Sequence, residues 1–161
     1  MFETVTEQRV VTGDAELFVC VGGEGPPLLL LHGYPQTHVA WHRVAPLLMR
    51  RFTLVMPDLR GYGQSRGPVP DAEHRHYSKR AMAGDMAALM TALGHERFFL
   101  AGHDRGGRVG HRLALDHADR VLRFAAIDII PTLAMWERMD GDRALASYHW
   151  TFLAVPPPVP A

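Results

Sequence analysis

Gly102-His103-Asp104-Arg105-Gly106-Gly107-Arg108-Val109-Gly110-His111 follows directly on a short apolar run, Arg97-Phe98-Phe99-Leu100-Ala101, and leads into a helical pattern. This predicts a sharp strand-to-helix turn with Asp104 at its apex. Glycines stand two residues before it and two and three residues after it. Small residues there allow the tight backbone turn of a nucleophile elbow. Such elbows usually hold Ser, but here the apex is a carboxylate. A carboxylate attacks carbon without a general base, so it suits displacement at a saturated centre through an alkyl-ester intermediate. The plainer reading is a structural N-cap, a position where Asp is common.

Outward from the elbow, the pattern begins with strands and then alternates. Val5 to Thr12 and Glu16 to Val21 read as two strands joined at Gly13-Asp14, a hairpin-type dipeptide. Pro26 to Leu31 is a continuous apolar run, as expected of a strand buried on both faces of a parallel sheet. The loop His32-Gly33-Tyr34-Pro35-Gln36-Thr37 follows, and then Trp41, Val44, Leu47 and Leu48 recur at helical spacing. Phe52 to Met56 reads as a strand ending at Pro57-Asp58, and residues 59–77 as a long polar connection. Ser78 is placed to cap a helix with Met82, Met86, Leu89, Met90 and Leu93 on its apolar face, stopped by Gly94. That methionine stripe reads as core packing. After the elbow and its helix, Val121 to Ile130 reads as a further strand. The order β-β-β-α-β-α-β-α-β predicts an α/β fold, a mainly parallel, doubly wound sheet with helices on both faces.

Composition narrows the functional classes. A chain of 161 residues can bury roughly two-thirds of its unfolded surface. Its 47% apolar and 21% charged content is that of an ordinary globular protein. With 17 basic and 17 acidic residues the net charge is zero, which gives no field to recruit nucleic acid or an anionic membrane. The longest apolar run is far too short to span a bilayer. The N-terminus has neither the basic start nor the apolar stretch of a signal peptide. The single Cys20 lies in an apolar run and reads as a buried, inert thiol. The expectation is a cytoplasmic, reduced protein.

The chain resembles the α/β-hydrolase fold family and, within it, the haloacetate (fluoroacetate-type) dehalogenases. The matching pieces are His32-Gly33-Tyr34-Pro35, Asp58-Leu59-Arg60-Gly61-Tyr62-Gly63-Gln64-Ser65, the elbow, Ile127-Asp128-Ile129-Ile130-Pro131-Thr132, and His149-Trp150. The first three indicate the fold, whereas Arg105 with Arg108 and the His149-Trp150 pair narrow it to haloacid chemistry. Arg105 and Arg108, three apart at a helix start, can face one space above the elbow and clamp a small carboxylate. Solvated helix charge is the alternative.

The resemblance implies further roles. Asp104 attacks the halogen-bearing carbon and expels halide. His149 and Trp150 supply ring N–H donors to substrate and halide, although such a pair on an amphipathic helix can equally be packing. The backbone N–H groups of Tyr34 and Arg105 form an oxyanion hole. Asp128 is the acid that orients the catalytic histidine, with a turn cap as its alternative. His103 is expected to turn away from Asp104. No cofactor is implied, and no histidine spacing marks a metal site. The partner implied is a small haloacid, with no nucleic acid or membrane, and the resemblance points to a homodimer.

In that family the water-activating histidine comes late, after the final strand, and none of the ten histidines stands in such a place. The expectation is a truncated chain lacking the last strands and most of the cap. Residues 1–132 would form the N-terminal part of the core domain, and 133–161 the start of the cap region. The strand at Val121 would then be an exposed apolar edge. Val155-Pro156-Pro157-Pro158-Val159-Pro160-Ala161 reads as a fragment end or an altered reading frame. Two other functions compete. An epoxide hydrolase shares the Asp elbow and the His-Gly-x-Pro loop, but Arg105 and Arg108 argue against it. A non-catalytic remnant would hold carboxylates without turning them over.

Overall fold

Leu28, Leu29, Leu30 and Leu31 are all buried, yet they serve two cores. Strand geometry sends neighbours to opposite faces. Leu29 and Leu31 pack with Leu17, Val19, Val55 and Phe98 on one side, and Leu28 and Leu30 with Phe18, Cys20, Leu54 and Met56 on the other. The computed structural model describes residues 5–152 and Val155. Its strands are β1 (Val5–Thr12), β2 (Ala15–Gly22), β3 (Pro27–Leu31), β4 (Thr53–Pro57), β5 (Phe98–His103) and β6 (Val121–Ile127). They form one sheet in the order β1-β2-β4-β3-β5-β6. β1 and β2 pair antiparallel, as do β2 and β4, and the remaining pairs are parallel. This is the mainly parallel sheet expected from the alternation of elements, with the β1–β2 turn at Gly13, whose φ is +67°.

Helix α1 (Ala45–Leu48) and the preceding 3-10 turn (His38–Trp41) cover one face, where Trp41 and Ala45 join the Leu30 cluster. Helices α2 (Lys79–Ala92) and α3 (Arg105–Asp116) cover the other. Ser78 caps α2 as expected, its side chain accepting the Ala81 N–H at 3.2 Å. Gly94, at φ +79°, ends it. There the His95 N–H donates to the Met90 carbonyl and the Gly94 N–H to that of Thr91, which satisfies two terminal acceptors. Met82, Met86, Leu89 and Met90 are buried, so the methionine stripe is core packing. No helix among the described residues is long and apolar enough to cross a membrane.

Two expectations fail locally. The Trp41–Leu48 periodicity is not one helix. Pro46 lacks an N–H and cannot continue the turn begun at His38, so α1 starts afresh and leaves Val44 and Leu47 exposed. The last strand ends at Ile127 rather than Ile130, because Asp128 adopts φ +50° and turns the chain out of the sheet. β6 is the sheet edge, and Leu122 and Ile127 stand exposed on it, as anticipated.

Two buried hubs stand at the start of the connection read as polar, Asp58 just before it and Arg60 within it. Asp58, fully buried, accepts the backbone N–H of His38 at 2.7 Å and that of Gln64 at 2.9 Å, and its Oδ1 lies 2.8 Å from His38 Nδ1. Gly63, at φ +51°, comes so close to the Asp58 carboxylate that a Cβ there would collide with it. Arg60 donates from Nε and Nη2 to the two oxygens of buried Asp85, at 2.7 and 2.6 Å. It also reaches Asp14 and the His76 carbonyl. These bonds fasten the β1–β2 turn, the 59–77 connection and α2 to one another.

The chain divides after Ile129 into two compact units. The second holds three short helices, α4 (Thr132–Glu137), α5 (Gly141–Ala146) and α6 (Tyr148–Phe152). Asp140 caps α5 by accepting the Arg143 N–H at 2.9 Å, and Trp136 meets Trp150 edge-on with ring centroids 5.6 Å apart. Of the Pro-rich stretch, all but Val155 lies outside the described residues.

Candidate active site

Asp104 sits between β5 and α3 at φ 47° and ψ −118°, a conformation that costs a residue with a Cβ free energy. The surrounding glycines make the turn sterically feasible. A Cβ on Gly106 would strike the carbonyls of Leu31 and His32, and one on Gly107 would strike the Ile129 side chain. A Cβ on Gly33 would lie 2.7 Å from that of Asp104. Tight backbone approach therefore brings the loop after β3 against the elbow. There the Tyr34 N–H donates to Asp104 Oδ2 at 2.9 Å. The backbone group assigned to the oxyanion hole thus faces the carboxylate assigned as nucleophile.

His32 anchors that loop from beneath. Its Nε2 accepts the Leu59 N–H at 3.0 Å, so the neutral ring carries its proton on Nδ1, 2.9 Å from the Gly33 carbonyl. Burial holds its pKa below the usual histidine value. These two bonds hold the β3 loop to the chain segment after β4.

Three cations gather around Asp104. Arg105 lies over the Tyr34 ring, 4.6 Å from its centroid, and reaches the Tyr62 hydroxyl at 3.4 Å. Arg108 is half-buried, and desolvation brings its pKa down to about 10, partly offset by Asp104 and reinforced by Arg105. The third, Lys79 in the first turn of α2, was absent from the sequence-derived set. Burial first, then repulsion from Arg105 and Arg108, brings it down to about 8 against the pull of Asp104. No local motif marks Lys79. The signal is that α2 and α3 both start at the C-terminal edge of a parallel sheet, which brings their first turns together.

Lys79 makes a pH prediction. Between pH 8 and roughly 10.5 the unfolded chain holds a proton that folded Lys79 has released, so this group's contribution to stability rises with pH in that window. Below pH 8 its buried charge is a constant penalty. Lys79→Met is therefore expected to be more stable than the parent at pH 7, with the advantage shrinking from pH 8 to 10. Urea midpoints across that range measure it, and a gap independent of pH would contradict it.

Asp128 is not isolated from the elbow. Its carboxylate is largely exposed, and Oδ2 lies 4.0 Å from His103 Nε2. His103 does not turn away from the site as expected. Its Nδ1 and Asp104 Oδ2 each lie 3.0 Å from the point where a Gly33 Cβ would sit. The strand reaches its end at His103, and the Gly33 loop crosses there, so the ring meets the loop instead of solvent. His149 and Trp150 lie on α6 in the second unit, where the Tyr148 and His149 rings meet edge-on at 6.2 Å. Among the described residues no group of three or more His, Cys, Asp or Glu side chains is placed to hold a metal ion.

A family model described as the alpha/beta hydrolase fold matches residues 26–158. A fluoroacetate dehalogenase of Burkholderia sp is 55% identical over 160 residues, covering 99% of this chain and 53% of the relative. A soluble epoxide hydrolase of Corynebacterium sp. (strain C12) is 37% identical over 133 residues, 83% of this chain and 45% of the relative. A solved structure of alpha/beta hydrolase type from Nostoc sp PCC 7120 superposes with a TM-score of 0.95 at 52% identity, covering 97% of this chain and 54% of that one. The chain spans about half the length of the curated relatives it matches. The family match runs to residue 158, into the Pro-rich stretch.

Proposed function

The chain belongs to the alpha/beta hydrolase fold family, and we propose that it carries the nucleophile and the carboxylate-binding groups of a hydrolytic haloacid dehalogenase. The observation that carries this reading is the grouping of Lys79, Arg105 and Arg108 around a carboxylate at the elbow. A neutral substrate would leave Asp104 alone to balance those cations. A haloacetate brings one carboxylate, and displacement produces one halide, so the site holds two negative charges before and after the reaction.

Asp104 attacks the carbon bearing the halogen. A C–O bond forms, the C–halogen bond breaks, and halide leaves with the bonding pair. Arg105 and Arg108 hold the substrate carboxylate, Arg105 being steadied by Tyr34 and Tyr62. Hydrolysis of the ester then builds negative charge on the former Asp104 carbonyl oxygen, against the N–H groups of Tyr34 and Arg105. A histidine base oriented by Asp128 would activate the water, and His149 with Trp150 would donate to substrate and halide. Within these 161 residues the reaction is expected to stop at the ester.

Intact-mass measurement after incubation with chloroacetate tests the reading. The expected result is one added carboxymethyl group, mapped to Asp104, with negligible sustained halide release. Background thiol alkylation is suppressed because Cys20 is buried and its pKa is pushed up to about 11. An adduct from styrene oxide but none from chloroacetate would move the assignment to an epoxide hydrolase. A folded chain that reacts with neither would be a remnant that binds carboxylates at most.

A further inference from the structure

We infer that His103 is a positioning residue that latches the Gly33–Tyr34 turn over Asp104 by way of Gln36. The inference rests on the reading of Asp104 as the nucleophile, but its geometry stands independently of the substrate. The Gly33 N–H donates to Gln36 Oε1 at 2.9 Å, which fixes that oxygen as an acceptor. His103 Nδ1 lies 3.1 Å from the same oxygen, so it must be the donor and carry the proton. Gln36 closes the turn from the other side, its own N–H donating to the Gly33 carbonyl at 3.0 Å. Directly beyond Gly33, the Tyr34 N–H holds Asp104 Oδ2.

The connections therefore run from the end of β5 through the His103 ring to Gln36, into the Gly33–Tyr34 backbone, and back to the residue after His103. Strand and loop are locked together at the point where the ester oxygen must be received. With Nδ1 donating to Gln36, Nε2 faces Asp128 Oδ2 at 4.0 Å. Asp128 thus faces the edge of the latch ring opposite Gln36. In this arrangement a displaced latch frees Asp104 Oδ2 from the Tyr34 N–H that orients the carboxylate for attack, while both arginines stay anchored on α3.

The test compares isosteres in the 161-residue chain. Asn at 103 places an amide N–H where Nδ1 stands, whereas Gln places its amide where Nε2 stands. The limiting rate of Asp104 carboxymethylation is expected to fall about tenfold in His103→Gln and His103→Phe, the rate equivalent of one lost hydrogen bond. In His103→Asn it should stay within about twofold of the parent. Half-saturation by chloroacetate should change less than the limiting rate in each of them, because both arginines are carried on α3. Gln36→Leu should reproduce the loss with His103 intact, which keeps the inference testable if a position-103 variant fails to fold.

Imidazole nitrogen resonances and the Gly33 and Tyr34 amide resonances give a readout that needs no reaction. The parent should show His103 protonated on Nδ1, and the two amides should move in H103Q and Q36L but not in H103N. If the parent forms no adduct while these resonances behave as stated, the dehalogenase reading fails and the latch survives. A proton on Nε2 alone, or equal losses in the Asn and Gln variants, would overturn the latch.

Discussion

Asp104→Gly and Asp104→Ala are both expected to form no adduct with chloroacetate, with the glycine variant the more stable of the two by about 1 kcal/mol. Both lose the attacking oxygen, so the loss of reaction is complete rather than graded. Both also remove the anion shared by Lys79, Arg105 and Arg108, so each is destabilised relative to the parent by the same uncompensated positive charge. They differ in the backbone. A Cβ at φ 47° and ψ −118° carries a strain of about 1–3 kcal/mol. Glycine escapes that strain but gives the unfolded chain more freedom, worth about 0.4–1 kcal/mol in the opposite direction. Strain relief is the larger effect. Urea unfolding of the pair measures the difference, and an alanine variant as stable as the glycine one would show that the elbow stores no strain.

Asp85→Ala is expected to cost about 3–5 kcal/mol, a large fraction of the roughly 5–15 kcal/mol that holds a domain of this kind together. Asp85 and Arg60 have side chains only 3% and 4% exposed, and the two groups meet through paired bonds of 2.7 and 2.6 Å. Removing the carboxylate leaves a guanidinium buried with its remaining bonds to the His76 carbonyl and to Asp14. Asp14 is half-exposed and holds only Nη2, so it offsets a minor part of the loss. Thr12, whose hydroxyl donates to Asp85 Oδ1 at 3.1 Å, loses its partner as well. Replacing Arg60 and Asp85 together by methionine should recover most of the stability, because no buried charge is then left unpaired and Asp14 is half-exposed. A single-variant cost below about 1 kcal/mol in urea titrations would mean that water reaches Arg60.

The legible parts of the sequence were those whose cause is local. Ser78 and Gly94 bound α2 through bonds to residues a few positions away, and the leucines of β3 are apolar on both faces because helices cover both. The glycines around Asp104 encode the elbow directly, since each marks a place where another backbone or side chain comes too near for a Cβ. What escaped is long-range. Arg60 in a polar stretch reads as solvated, and its partner Asp85 lies 25 residues away on the buried side of a helix. Lys79 belongs to the site only because two helices begin at the same sheet edge. His103 was expected to point outward from the strand end, but the Gly33 loop lies across it. His149 and Trp150 are legible as a motif, while the work they would do depends on the cap rather than on their own helix.

The sheet also partitions the tolerance of this chain to change. Leu28 and Leu29 are covalent neighbours, but they lie in different apolar clusters with the sheet between them, whereas Leu29 shares its cluster with Met86, far along the chain. Substitutions at Leu28 and Leu29 have no common packing partners, so their effects should add, while those at Leu29 and Met86 should couple. Across related sequences, drift at one position of β3 would be compensated on α2 and pass unnoticed by the residue next door.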